Sequence, residues 1–181
     1  MNKEYKVDKI TNEFIWEIED AEFDKYYEDL KTIMGYFEIP FIISNNAWGD
    51  DIGDMGGCMS VNVKTGEKAI FMGEGWFEYC NVLAIICMAH EMGHYYDLTF
   101  NFKNDYNQYH HGLGTLETEV RAWEFGVDFL REIGFKYWEE LNILMKHCLG
   151  LYYKYRIFGY GRKPHRTFEQ AQKDIMERVT L

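Results

Sequence analysis

The longest uninterrupted apolar stretch of the sequence runs from Val82 to Ala89 and leads directly into a polar segment that begins at His90. Asn81, a residue type that favours the N-cap of a helix, precedes it. A helix that is apolar all round must be covered on every side, so we expect the rest of the chain to pack around it. The stretch is much shorter than the roughly 20 residues of a membrane span. It therefore predicts a central, buried helix in a compact fold.

The composition is consistent with one core around this helix. The chain has 181 residues, of which 47% are hydrophobic, and we expect a single domain covering residues 1–181. Its formal net charge of −11 argues against general binding to nucleic acid or to an anionic membrane. The first residues lack the apolar stretch of a signal peptide, and the four cysteines form no C-x-x-C pair. We therefore expect a cytoplasmic protein with buried thiols.

Hydrophobic periodicity predicts an α+β fold in which a small antiparallel or mixed sheet packs against several helices. Apolar positions three or four residues apart predict helices over about 18–35, from 81 onward, and over 116–133, 138–153 and 167–175. We expect Gly35 to end the first helix as a left-handed cap. Segments 37–44, 58–63 and 68–72 have the composition of strands, the last two joined by a turn at 64–67. From about residue 136 the chain is predicted to be helical.

The segment His90-Glu91-Met92-Gly93-His94 matches the pattern H-E-x-x-H. Residues four apart on a helix lie one above the other, so the imidazoles of His90 and His94 can bind one metal ion. The carboxylate of Glu91 then lies beside the ion, where it can take a proton from water bound to the metal, whose pKa falls to about 7. We therefore predict a metal site with Glu91 as general base and later proton donor.

A catalytic zinc ion usually has three protein ligands and a water molecule, so a third donor is expected elsewhere in the chain. The histidine that metzincins place six positions after His94 is absent, because Phe100 stands there. Glu119, on the predicted helix 116–133, is the candidate that we favour. Glu117 is about 200° around the helix from Glu119, so only one of them can face the ion.

The helix predicted to carry Glu119 also has a face of small residues. Ala122 and Gly126 lie three and seven positions later, so this helix can approach the helix of His90 and His94 closely. Two imidazoles and one carboxylate suit a four-coordinate site with an open position, so we expect Zn²⁺. A di-iron site would need a second E-x-x-H, which the sequence lacks.

Hydrolysis at such a site also needs a hydrogen-bond donor for the oxyanion of the transition state. The sequence leaves this role open among five candidates, Tyr109, His110, His111, Tyr160 and His165. Of these, His110 and His111 lie in the loop between the two predicted ligand helices, from which they could reach the cleft. Asp97, one turn beyond His94, is a candidate to orient an imidazole, and the alternative is an ordinary polar residue at a helix end.

The order of strand, hairpin and buried helix, the segment Ala89-His-Glu-Met-Gly-His94 and the later Glu119-Val-Arg-Ala122-Trp resemble the small gluzincin-type metallopeptidases of the ImmA/IrrE group. The resemblance covers about residues 20–135. Members of that family are zinc-dependent peptidases that often act on transcriptional repressors. Their usual third-ligand segment reads Glu-Ala-Asn, whereas Val120 and Arg121 follow Glu119 here.

This resemblance implies a zincin-like fold with an H-E-x-x-H active-site helix and hydrolysis of a peptide bond in a protein or peptide substrate. A repressor would be a separate partner, since the chain has no room for an extra helix-turn-helix domain. The resemblance also implies that Lys68–Met72 is the edge strand along which a substrate peptide pairs through its main chain.

A basic, aromatic segment supports an alternative function of a different class. Between residues 141 and 168 the chain has six basic side chains and no acidic one, with several tyrosines interleaved. Such a segment can dock an acidic partner or nucleic acid, or can simply neutralise acidic helices of the same chain. The alternative hypothesis is therefore a non-hydrolytic regulatory or interaction protein on a zincin scaffold that binds its partner through residues 146–166.

Overall fold

The computed structural model describes residues 17–43, 57–62, 64–74, 77, 80–109, 115–155 and 166–180. Over these ranges the chain is α+β, as predicted, with five α-helices and a small mixed sheet. The helices are α1 (Asp20–Tyr36), α2 (Asn81–Tyr96), α3 (Thr115–Glu132), α4 (Trp138–Tyr155) and α5 (Phe168–Glu177). A π-helical turn, Asp97–Asn101, continues α2. The strands are β1 (Phe41–Ile43), β2 (Gly57–Val61) and β3 (Lys68–Met72).

Two predicted helix ends are wrong, although the helices themselves lie close to their predicted ranges. Gly35 remains helical in α1, and the left-handed residue after this helix is Glu38, at φ 54°. Asn81 is the first residue of α2 rather than its cap. Its amide instead binds the main chain of Ile18, accepting from the N–H at 2.9 Å and donating to the carbonyl at 3.0 Å. This pair of bonds fixes the segment before α1 against the start of α2.

The strand order is β1-β3-β2, with β1 parallel and β2 antiparallel to β3. The expectation that Lys68–Met72 is an edge strand is therefore wrong, because β3 is paired along both sides. The physical reason is burial: Ile70 and Met72 of β3 are fully buried, whereas β2 has no fully buried residue. The more apolar strand takes the centre. Within the described part of the sheet, β2 forms an edge.

The apolar stretch Val82–Ala89 forms half of α2 and lies at the centre of the fold, as predicted. Nearly all of its side chains are buried, in contact with α1, β2, β3, α3 and α4. Most of the other described helices and strands therefore pack against α2. Among the described helices, none combines the length and the apolar character needed to cross a membrane.

Helices α2 and α3 pack closely against each other near the H-E-x-x-H segment. A methyl group built at Gly93 would lie 2.1 Å from the carbonyl oxygen of Ala122, and one built at Gly126 would lie 3.1 Å from that of Ala89. Both helices therefore present glycine where the backbones meet. The predicted small face of α3 is confirmed, and Gly93 is its counterpart on α2.

Candidate metal centre

The last turns of α2 and the first turns of α3 bring three predicted ligands together. His90, His94 and Glu119 each offer a ligand atom, and these atoms lie within 4.8 Å of one another. The Nε2 atom of His90 is 3.3 Å from Oε2 of Glu119, and Nε2 of His94 is 3.5 Å from Oε1. Each side chain is at most 12% exposed. The cluster could hold a metal ion.

The separations test whether this donor set fits a cation. Two ligand atoms bound at 2.0–2.1 Å to one tetrahedral zinc ion lie about 3.3–3.4 Å apart. A direct charge-assisted hydrogen bond between imidazolium and carboxylate is shorter, about 2.7–2.9 Å. The observed 3.3 and 3.5 Å, each to a different oxygen of Glu119, are longer than such a direct bond and leave the three side chains close enough to share one ion. The residues present therefore fit a divalent cation.

The charges of the cluster are coupled. Burial lowers the pKa of His94, but the neighbouring carboxylate of Glu119 outweighs burial and holds that pKa above its ordinary value. In return, the two imidazoles hold the pKa of Glu119 well below its usual range in spite of the burial of its carboxyl group. Glu119 is thus an anion at any ordinary pH, as a metal ligand must be.

Glu91 lies next to these ligands, on the side of the sheet. Its side chain is almost buried, and Oε2 accepts a hydrogen bond from the main-chain N–H of Met59 in β2 at 2.6 Å. This bond uses one carboxylate oxygen and fixes the orientation of the other. The predicted general base is therefore held between the ligand helix and the edge strand.

A buried tyrosine supports the second imidazole. The hydroxyl of Tyr109 lies 2.9 Å from Nδ1 of His94, and Tyr109 is fully buried. Burial and nearby carboxylates raise the pKa of Tyr109, so its hydroxyl stays neutral. Contact with the outer nitrogen of a ligand imidazole fixes its tautomer and orientation. The structure thus places Tyr109, a candidate for the oxyanion, behind His94 instead.

His90 has a different environment. Its ring lies against the indole of Trp123, with centroids 4.2 Å apart. Among the described residues, neither Nδ1 of His90 nor Nε1 of Trp123 has a hydrogen-bond partner. Packing against Trp123, rather than a hydrogen bond from a described residue, therefore orients this imidazole.

Asp97 does not orient an imidazole through a hydrogen bond in this structure. It is fully buried, and its carboxylate accepts two bonds from Arg121, at 2.6 and 2.7 Å, and one from Asn101 at 2.7 Å. Arg121 follows Glu119 by two residues and Asp97 follows His94 by three, so the pair joins the helices beside the ligands. Arg121, which stands where the Glu-Ala-Asn segment has asparagine, supplies this link.

Helix α4 contributes a residue that the sequence analysis missed. The hydroxyl of Tyr152 hydrogen-bonds to the carboxylate of Glu119, and burial together with this carboxylate raises the pKa of Tyr152. Cys148, one turn earlier, is half-buried, and the desolvation of its thiol, together with the nearby carboxylates of Glu119 and Glu91, raises the pKa of the thiol to about 12. In the sequence both residues belong to an apolar stripe typical of a core. The sequence offered one indication for Tyr152: a buried tyrosine hydroxyl usually has a polar partner, so a tyrosine in an apolar stripe predicts a polar group nearby.

The remaining predicted residues lie elsewhere. His110, His111, Tyr160 and His165 are outside the described residues. In the basic segment, Arg166 pairs with carboxylates of three side chains of the same chain, Glu117 (2.6 Å), Glu124 (2.6 Å) and Asp174 (3.2 Å). Its charge is thus neutralised internally, and Glu117 faces Arg166 while Glu119 faces the imidazoles, as the helical geometry predicted. Arg156, Arg162 and Lys163 lie outside the described residues.

Comparison of the chain with protein-family models, with curated proteins and with solved structures finds no match.

Proposed function

We propose that this chain is a zinc-dependent metallopeptidase of zincin-like fold that hydrolyses a peptide bond in a protein substrate. One observation carries the proposal: His90, His94 and Glu119 form a cluster that could hold a metal ion. Glu91, the residue after His90, is held in place by the Met59 N–H. The resemblance to the ImmA/IrrE group supports the same function and suggests a regulatory protein, such as a repressor, as substrate.

In this proposal His90, His94 and Glu119 would hold the zinc ion and leave one position open. A zinc ion bound there polarises the substrate carbonyl and lowers the pKa of water. Glu91, fixed through Oε2 by the Met59 N–H, takes the proton of the attacking water at Oε1 and later delivers it to the leaving amine. The burial of these side chains keeps bulk water away from the proton transfer.

The edge strand β2 provides a place for the substrate main chain. The bond from the Asn62 N–H to the Glu67 carbonyl sets the ladder with β3, so the main-chain groups of Met59 and Val61 point away from β3. The Met59 N–H donates to Glu91, so an extended peptide would pair with the Met59 carbonyl and the main-chain groups of Val61 and would then lie beside Glu91. In this proposal the substrate pairs with β2 and not with β3, the strand that the sequence suggested.

The proposal is tested by replacing the general base while keeping the metal. The Glu91→Gln variant should bind zinc as the wild type does and lose cleavage of a peptide library, measured by mass spectrometry of newly formed termini. Glu132→Gln, an exposed change at the end of α3, is the matched control and should cleave normally. Undiminished cleavage by Glu91→Gln would refute the assignment.

A further inference from the structure

The ion pair between Asp97 and Arg121 joins the two ligand helices within one turn of the ligands. Asp97 lies three residues after His94, and Arg121 lies two residues after Glu119. At a rise of about 1.5 Å per residue, these intervals are about 4.5 and 3 Å along the helices. The buried carboxylate of Asp97 accepts from Nε of Arg121 at 2.7 Å and from Nη2 at 2.6 Å, one bond to each oxygen. Such a bidentate pair fixes orientation as well as distance.

The close contact between α2 and α3 does not fix their relative orientation by itself. Gly93 and Ala122 bring the two backbones together, but apolar contacts have no preferred direction and resist sliding only weakly. The candidate ligands are divided between the helices, with both imidazoles on α2 and Glu119 on α3. A metal site keeps its ligand distances within about 0.2 Å, so even a small slide of one helix would disturb it.

The same pair is a poor source of stability. Two buried charges lose their hydration, and replacing such a pair by apolar side chains of similar volume often leaves stability unchanged or raises it. The guanidinium carbon of Arg121 lies 5.6 and 5.9 Å from the ring centroids of Phe102 and Phe125. An apolar chain of similar length can keep contact with these rings. It cannot supply the two directed bonds to Asp97.

We propose that Asp97 and Arg121 are positioning residues of the metal centre, whose two directed bonds hold α2 and α3 in the register of the ligands and add little net stability. The inference rests on the metal site of the proposed function but not on the cleavage reaction. It separates two properties that an ordinary structural ion pair would change together, namely the affinity for zinc and the stability of the metal-free chain.

The test replaces both charges at once, because a single replacement leaves the other charge unpaired. The metal-free double variant Asp97→Leu/Arg121→Met should unfold at the same urea concentration as the wild type or a higher one. Asn101, the third donor to Asp97, is exposed and can bond to water instead. Zinc affinity, measured by competition with a chromophoric chelator, should fall about 10-fold, the lower end of the loss for a supporting contact. The visible spectrum with Co²⁺ should differ from that of the wild type, because the ligand geometry has changed.

A second variant and a matched control complete the experiment. Arg121→Lys keeps a charge beside Asp97, but an ammonium group lacks the planar fork that donates two parallel bonds, so this variant should fold and also bind zinc more weakly. The control is the ion pair between Arg178 and Asp128 of α3, which is nine residues, or about 13 Å, beyond Glu119. Arg178 also lies over the ring of Phe125. Asp128→Leu/Arg178→Met should therefore bind zinc as the wild type does.

Wild-type zinc affinity in both test variants would overturn the inference, as would an equal loss in the control. A urea midpoint that falls together with the affinity in both test variants would show that the pair is merely structural. If the double variant does not fold, Arg121→Lys alone decides between the same results.

Failure of the peptidase proposal looks different. In that case Glu91→Gln does not alter cleavage, while zinc affinity still falls in both test variants at an unchanged urea midpoint. A wild-type chain that binds no zinc would overturn both proposals.

Discussion

The contact between Gly93 and α3 makes a sharp prediction about the geometry of the metal centre. A methyl group at Gly93 would lie 2.1 Å from the Ala122 carbonyl oxygen, whereas an ordinary contact is at least 3.4 Å. The clash is with backbone, so no rotation of a side chain relieves it. In the Gly93→Ala variant, α2 and α3 must therefore move apart by roughly 1 Å, at a cost of about 1–3 kcal/mol.

This displacement acts directly on the ligands, because both imidazoles are on α2 and Glu119 is on α3. A zinc site tolerates bond lengths within about 0.2 Å of their normal values. Opening the 3.3 Å separation between His90 and Glu119 by roughly 1 Å exceeds that tolerance several times. Loss of a hydrogen bond to a metal ligand weakens metal binding by about 10–100-fold. Displacement of the ligands themselves should cost more, so we expect the zinc affinity of Gly93→Ala to fall by more than about 100-fold.

The assay combines zinc competition with urea unfolding of the metal-free chain. Gly150→Ala is the control, because a methyl group there meets nothing within 4 Å, and it should raise stability by up to about 1 kcal/mol through helix propensity. Wild-type zinc affinity and stability in Gly93→Ala would refute the reasoning, because the helices would then not meet at this glycine.

Three further predictions concern the groups around the centre. Tyr109→Phe should weaken zinc binding about 10-fold in the competition assay, because an imidazole ligand loses its partner. Arg121→Ala should lower the free energy of unfolding by about 3–5 kcal/mol in urea, since Asp97 stays buried without its cation. Hydrogen bonds from Tyr137 and Tyr26 lower the pKa of Glu22, so their stabilisation is present above the unfolded pKa of about 4.3 and is lost as the pH falls through the folded value. Tyr137→Phe should therefore flatten the acid limb of stability against pH, and an unchanged limb would contradict this cause.

The candidate ligands could be predicted from the sequence because each lies at a recognisable position of its own helix. The spacing of His90 and His94 is one helical turn, and periodicity alone placed Glu119 and Glu117 on opposite faces of one helix. The central position of the apolar stretch before His90 could also be predicted, because a helix with no polar face cannot lie at the surface.

The supporting contacts were not predictable in this way, because they join residues distant in the sequence. Nothing local pairs Asp97 with Arg121 or brings Tyr152 of α4 to Glu119. The position of β3 depended on the parallel addition of β1, which the hairpin pattern does not determine. Glycine is the usual left-handed residue after a helix, which favoured Gly35 as the cap. The residue that adopts the left-handed conformation is Glu38, three positions later.

The central claim is that one metal ion is shared by three side chains from two helices. Anomalous diffraction at the zinc edge from crystals of the zinc-loaded chain tests it most directly. We predict a single strong peak about 2.0–2.2 Å from Nε2 of His90, Nε2 of His94 and a carboxylate oxygen of Glu119. A crystal with no peak between these atoms, or with Glu119 turned away from both imidazoles, would contradict the account.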